Sequence, residues 1–472
     1  MQIKCVQTTL SDIYTDVSET FEQNKPRIFR LIDEHIDWDK IIPASFYNAF
    51  YKRFGRPRDY SLESFIKALV LQRIFGYTED AQLLNTLRYS KEMRMFCGFH
   101  KVPDASKITH FKQDFCIYLE RLFDNLVDLT EPICHEIDEE LAACTIFDTT
   151  GIESYVSENN PKFMSTKLKQ AKAIAKNTPS FDPYTGVYAL LPEVASSNPA
   201  VKHQYINGHF CYAQKAAVIT NGLGILRHID LLDEAFKKRH PECVTKRSDN
   251  PDLDKEIGDS SALKPVLQDF FTKHPAPPST FIGDSAFDSY GNYSMLIRGF
   301  GFKRAVIPLN TRNSANSSAD FNEAGVPLCP LDSTPFTFLG KSGGQNRSLR
   351  FKWVCHKSAP AAKTSACTCE TPCTDSPYGR CVYTYPDKNL RLYPGIPRET
   401  QEWDRLYKSR VTVERSINSL KASFCVDGRK TSNVITTKAD LFLAGIVQLL
   451  GVLIAKALHN LKLARRIRRL IA

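Results

Sequence analysis

The chain reads as an α/β protein: a helical N-terminal domain precedes a strand-and-helix core that is split by a β-rich segment. Three observations predict this. From about residue 45 to 141 apolar residues recur at the i, i+3, i+4 spacing of amphipathic helices. Beyond residue 142, short apolar runs ending in aspartate alternate with helical stretches. Helical periodicity then returns at Trp403 and persists to the end. The expected division is an extension over 1–44, a helical domain over 45–141, the first part of the core over 142–308, an inserted β-rich, Cys-containing subdomain over 309–397, and the second part of the core with a basic helical end over 398–472. A length of 472 residues, at about 150 per domain, agrees with several units.

Within the helical region, Ser61 is placed to N-cap a helix carrying Leu62, Phe65, Ile66, Leu69 and Val70, with Gly76 at its end. Thr78 opens a second helix, Asp104 or Ser106 a third, and a longer one carries Leu119, Leu122, Phe123, Leu126 and Leu129. At Ala142 the rhythm changes, and Ala142–Phe147 reads as a buried strand ending at Asp148. Residues 209–219 and 223–229 read as strands joined by an Asn221-Gly222 hairpin turn. Ser260–Lys273 is a helix, Thr280–Gly283 a strand ending at Asp284, and Arg304–Ile307 another strand. From Leu309 to Pro397 the chain is rich in Asn, Ser, Gly, Pro and Cys, with strand-like pieces at Phe351–Val354 and Cys381–Tyr385.

With 42% hydrophobic and 24% charged residues, the composition excludes a largely disordered or fibrous chain. The net charge is +10, which favours a polyanionic partner. Residues 401–472 hold 14 Lys and Arg against 5 Asp and Glu, so nearly all the surplus lies there. The N-terminus shows no apolar signal run. Leu441–Ala455 is the most membrane-like stretch, but it is interrupted by Gln448 and is shorter than the about 20 residues a span needs, so a buried helix is expected. Fourteen cysteines without such a signal point to reduced thiols in a cytoplasmic protein.

Two aspartates, Asp148 and Asp284, each follow an apolar strand, which places carboxylates at the sheet edge where open α/β sheets keep their sites. Aspartates also follow strands as turn residues and caps. Trp403–Phe424 is sharper. On a helix of 100° per residue, Tyr407, Arg410, Glu414 and Lys421 fall within about a 60° arc bordering an apolar stripe of Leu406, Val413, Ile417, Leu420 and Phe424. A solvent-facing Arg410–Glu414 pair explains neither Tyr407 nor Lys421, and would contribute only about 0.2–0.5 kcal/mol.

Tyr407-x2-Arg410-x3-Glu414-x6-Lys421 resembles the signature of bacterial insertion-sequence transposases of the DDE superfamily, whose catalytic core is RNase H-like. Gly283-Asp284-Ser285-Ala286-Phe287-Asp288 is similar to that family's second-aspartate motif and Phe147-Asp148-Thr149-Thr150 to its first. The stretch from Phe54-Gly55-Arg56-Pro57 to Phe96-Cys97-Gly98-Phe99 resembles the helical DNA-binding domain that precedes the core. The resemblance implies Asp148, Asp284 and Glu414 as the catalytic, metal-holding triad for Mg²⁺, with Mn²⁺ as a substitute. It implies DNA-binding roles for Tyr407, Arg410 and Lys421. The implied reaction is metal-dependent cleavage at transposon ends and strand transfer into target DNA. The implied partners are double-stranded DNA, with terminal inverted repeats and target, and a second copy of the chain on DNA, with no membrane and with nucleoid association when bound. A related nuclease without strand transfer, or a domesticated DNA-binding protein, are the alternatives.

Three further features carry expectations. Cys367, Cys369, Cys373 and Cys381 could assemble a structural Zn²⁺ site or remain unliganded thiols. Asp288 reads as an N-terminal helix cap, with assistance to the metal site as the alternative, Glu153 as a surface carboxylate, and Lys202, His203, His209 and Lys215 as ordinary strand-edge residues, with a DNA contact by one of them as the alternative. Lys462, Arg465, Arg466, Arg468 and Arg469 form a basic end suited to DNA phosphates or to plain solvation.

Overall fold

The computed structural model describes residues 25–471 except 53, 55, 179, 207, 245–256, 311–319, 345–346, 356, 358–368 and 377–378; of the first 24 residues it describes Thr9, Ser11, Thr15 and Glu19. The protein is mixed α/β. Its helices include, in chain order, α1 (Arg27–His35), α2 (Leu62–Phe75), α3 (Asp80–Tyr89), α4 (Lys91–Cys97), α5 (Ala105–Asp114), α6 (Cys116–Ile137), α7 (Pro161–Asn177), α8 (Asp259–Lys273), α9 (Gln401–Lys408), α10 (Val411–Asn418), α11 (Val434–Ala457) and α12 (Ile467–Ile471). The strands are β1 (Cys144–Glu153), β2 (Val194–Ala195), β3 (Asn198–Ile206), β4 (His209–Thr220), β5 (Leu226–Leu231), β6 (Thr280–Ile282), β7 (Arg304–Val306), β8 (Thr337–Gly344), β9 (Arg347–Val354) and β10 (Cys381–Thr384). They divide between two compact units, one of residues 1–133, 151–214 and 418–472, the other of 134–150 and 215–417. β1 and β4 each start in one unit and finish in the other.

In the first unit, α2 begins where the Ser61 hydroxyl accepts the Ser64 N–H at 3.0 Å. It ends at Gly76, whose φ of 79° only glycine adopts without strain. Nearly all of α2 is buried, and α11 is one of the elements that covers it, packing on α1, α2, α5 and α12. The 24-residue α11 is long and apolar enough to cross a membrane, yet 89% of its apolar window is buried inside the protein, which makes it a core helix. Phe65 stacks on Phe111 at 4.7 Å, with Phe46, Phe50 and Phe115 completing an aromatic cluster. Each such ring pair contributes about 0.5–1.5 kcal/mol beyond its burial.

Charge is buried beside that cluster. Asp440 of α11 pairs with Arg73, with Lys112 at 3.2 Å and with Arg429 at 2.9 Å. Asp80 takes Lys112 at 2.9 Å, Arg429 at 2.7 Å and the Gln72 amide at 2.9 Å. Both carboxyls are held below their ordinary range: burial alone would raise them, and the surrounding cations overcome it.

In the second unit the strands run β5-β4-β1-β6-β7. β1, β6 and β7 are parallel, with Cys144, Thr145 and Ile146 opposite Thr280, Phe281 and Ile282, while β4 and β5 are antiparallel. Leu263, Val266 and Leu267 of α8 cluster with Phe147, Ile219, Phe281 and Ala305 of the sheet. A separate three-stranded sheet, β10-β9-β8, carries a small core of Phe336, Phe351, Trp353 and Tyr393.

Three local expectations change. Asn221-Gly222 does not form a two-residue turn. The ladder closes at Thr220 opposite Leu226, the Asn221 side chain accepts the Ile225 N–H at 3.0 Å, and Gly224 takes the positive φ of 74°. Gly222 serves close approach instead, since a Cβ there would meet the Leu141 carbonyl at 2.8 Å. β1 does not stop at Asp148 but continues to Glu153. The single helix expected over Trp403–Phe424 is broken into α9, α10 and a wide turn over Ser419–Ser423. At the first break the Ser409 hydroxyl donates to the Leu406 carbonyl and Thr412 donates to the Ser409 carbonyl, both at 2.6 Å, so side chains compete for the backbone that a continuous helix needs.

Candidate active site

The parallel pairing of β1 and β6 aligns the two aspartates. Ile146 sits opposite Ile282, and Asp148 and Asp284 each lie two residues further along. Alternation therefore directs both carboxyls to the face of that last pair, just past the carboxyl end of β6. Asp148 accepts the N–H of Thr149 at 2.8 Å, and Asp284 accepts that of Ala286 at 2.9 Å, capping the short turn Ser285–Phe287.

The helix break before α10 delivers the third carboxylate. Arg410 stands just ahead of α10 and Glu414 in its first turn. Arg410 Nη1 donates to Glu414 Oε1 at 2.7 Å. Its Nη2 lies 3.7 Å from Asp284 Oδ2 and 3.9 Å from Asp148 Oδ2. Residues 148, 284 and 414 thus surround one guanidinium. The Glu414 side chain is 50% exposed and that of Asp148 22%, so the group opens to solvent on the Glu414 side.

Burial leads the electrostatics, and the crowded charges modify it. Burial pushes Asp148 up to about 6; the Thr149 N–H and Arg410 pull it down, and Asp284 and Asp259 push it up. Burial likewise raises Asp284, with Asp259 and Glu414 adding to the shift. Arg410 is raised because Asp148, Glu414, Tyr407 and Asp284 outweigh its burial. The Tyr407 phenol, on α9, is raised by burial first and by Asp284 and Glu414 next, while Arg410 opposes them. Burial is thus the first cause of the raised Asp148 and Asp284, and the neighbouring acids add to it.

Asp259 is the residue that sequence reasoning missed. It heads α8, accepts the Thr149 hydroxyl at 2.7 Å and pairs with Lys215 at 2.5 Å. The only sequence signal was an acid at a helix start. Asp288 does not act as a helix cap. It is buried, binds the Arg391 guanidinium at 2.6 and 3.1 Å, and accepts the Tyr293 hydroxyl and the Asn310 N–H.

Lys421 belongs to the first unit, where it donates to the Gly151 carbonyl at 2.9 Å and pairs with Asp427 at 3.3 Å. Cys367 lies outside the described residues. Cys369 and Cys373 are partly buried and Cys381 is exposed, and among the described residues they do not bring three donor atoms within 4.8 Å of one another. The acidic triad does not close to that separation either.

Residues 17–114 match the family described as Transposase domain (DUF772). No curated protein matches the chain. Among solved structures, it is similar to one described as the cryo-EM structure of piggyBac transposase synaptic complex with hairpin DNA. The identity is 11% over 96% of this chain and 80% of that one, and the TM-score is 0.37, an agreement too loose to assign residues.

Proposed function

We propose that the protein is a DDE transposase that cuts DNA at transposon ends and joins the freed ends to target DNA, using an RNase H-like core. One observation carries this reading: Asp148, Asp284 and Glu414, far apart along the chain, meet around the Arg410 guanidinium. The open mixed sheet with β1 between β4 and β6 is of the kind such a core requires, and the match over residues 17–114 supports the same family of activities.

The donor set fits a hard divalent cation. Three carboxylates offer oxygen ligands of the type Mg²⁺ and Mn²⁺ prefer, and they outnumber the one guanidinium, Arg410, that they surround. Asp148, Asp284 and Glu414 would hold it. When bound, a divalent pair supplies Lewis-acid activation of water and stabilises a leaving 3′-oxygen. Arg410 forks onto a DNA phosphate, for which it must release some of its carboxylate partners. Tyr407 keeps its proton and donates it in a hydrogen bond to a phosphate oxygen. Lys421, a point charge, binds a further phosphate. Two ends must be held together for joining, so the active form on DNA is at least a dimer.

The test is incubation of the purified protein with labelled inverted-repeat ends, plasmid target and Mg²⁺. Covalently joined end–plasmid products are expected. Cut ends without joined products would reduce the protein to a nuclease, and bound but uncut ends to a DNA-binding protein.

A further inference from the structure

A second group of metal-ligating side chains falls wholly within the first unit, whereas the acidic triad belongs to the second. It is built where β1 ends beside the β3–β4 hairpin. His209 and Cys211 are two residues apart on β4, so alternation puts both on one face of the strand. Glu153 is the last residue of β1. The Ser154 N–H donates to the Tyr212 carbonyl at 3.1 Å, which sets the two segments against each other. Asn159 then stitches them together. Its amide donates to the carbonyls of Ser154 and Tyr212, and its oxygen accepts the Tyr212 N–H, each at 2.8 Å. Gly151 keeps the approach close, since a Cβ there would meet Ile206 of the hairpin at 2.5 Å.

The result is a carboxylate oxygen, an imidazole nitrogen and a thiol sulfur all within 4.8 Å of one another. Glu153 Oε1 and His209 Nε2 stand 3.0 Å apart. Two ligands of a tetrahedral ion with bonds of about 2.0–2.3 Å sit at comparable spacing. The Cys211 side chain is almost fully buried, while Glu153 and His209 are half exposed, so the group is solvent-accessible from one side. A Glu–His surface ion pair accounts for two of these residues, and the buried thiol stands beside them as the third donor.

We propose that Glu153, His209 and Cys211 bind a single borderline-soft divalent cation of the Zn²⁺ class, with water in the fourth position, and that this ion ties the end of β1 to the β3–β4 hairpin. The oxygen, nitrogen and sulfur donors suit Zn²⁺ and disfavour Mg²⁺, which takes oxygen ligands. The thiolate is the form of cysteine that ligates a metal, so binding displaces the Cys211 proton. The site is therefore chemically separate from the three-carboxylate group of the second unit.

The experiment uses the full chain, stripped with chelator and titrated with Co²⁺ as a spectroscopic stand-in and with Zn²⁺ for affinity. Cys369→Ser and Cys373→Ser are present throughout, to silence the other cysteine cluster. One equivalent of Co²⁺ should give thiolate-to-metal absorption in the near ultraviolet, and Cys211→Ser should abolish it. His209 is exposed, so His209→Ala preserves the fold and should weaken Zn²⁺ binding by at least about tenfold, the lower end of what removing even a hydrogen-bond partner of a metal ligand costs. Absence of the thiolate band, or a band and a Zn²⁺ affinity unchanged by His209→Ala, would overturn the proposal whether or not Cys211→Ser folds.

Discussion

At Asp148 the folded protein holds a carboxyl raised from 3.8 to about 6. Between those two values the native state binds more protons than the unfolded chain, so the stability of the metal-free protein falls as pH rises through that window. At pH 7 the ionised Asp148 therefore costs stability. Replacing it with Asn should stabilise the metal-free protein by about 1–3 kcal/mol at pH 7, with the gain fading below about pH 4; urea unfolding at the two pH values reads this directly. Arg410 and Glu414 were legible from helical spacing, Asp148 and Asp284 only from their places after apolar strands and from the family resemblance. The resemblance implied that the three acids meet but not how, because the meeting depends on the β1–β6 register and on the break before α10. Asp259 carried no motif, and its place near the aspartates comes from its position at the head of α8, where it accepts the Thr149 hydroxyl.

Among the elements, α11 shows how much of the fold composition could tell. Its apolar length predicted burial, and burial is what α1, α2, α5 and α12 provide. What composition could not tell is that Asp440 within this helix is the anion for Arg73, Lys112 and Arg429. Three cations share two carboxylates there, so removing one acid strands positive charge in a dry interior. Asp440→Asn should cost about 3–5 kcal/mol, measured as a lowered urea midpoint with an unchanged slope. The Trp403–Phe424 region gives the opposite lesson. The wheel grouped Tyr407, Arg410, Glu414 and Lys421 as if on one helix, yet Ser409 and Thr412 divert the backbone. Arg410 consequently precedes α10 rather than lying inside it.

For the whole molecule, the +10 net charge and its concentration near the C-terminus suggested a row of basic residues facing DNA. The structure divides that row. Arg468 donates to the carbonyls of Ile74 at 2.9 Å, of Arg73 at 3.3 Å and of Ser423, satisfying carbonyls at the C-terminal end of α2, where a cation is favoured. Lys462, Arg466 and Arg469 are exposed, as Arg468 is, but stand outside this set of hydrogen bonds. Arg468→Ala should thus lower stability by about 1 kcal/mol. Arg466→Ala with Arg469→Ala should leave stability unchanged and flatten the dependence of log DNA affinity on log salt by about 0.9 for each phosphate no longer neutralised. Thermal unfolding and salt-titrated binding to duplex DNA separate the two roles. The union of 1–133 with 418–472 in one unit was not legible, since no local pattern reports that segments so distant in sequence share a core.

Whether Asp148, Asp284 and Glu414 act as one metal-dependent DNA-cutting group is decided by single-turnover cleavage of inverted-repeat end DNA with Mg²⁺, comparing the unaltered chain with Asp148→Asn, Asp284→Asn and Glu414→Gln. Each substitution should slow cleavage by about 100-fold or more, equivalent to about 2.7 kcal/mol of barrier, with end binding retained. Cleavage at close to the unaltered rate in any one of the three, with the DNA bound, would refute the shared role of the three carboxylates.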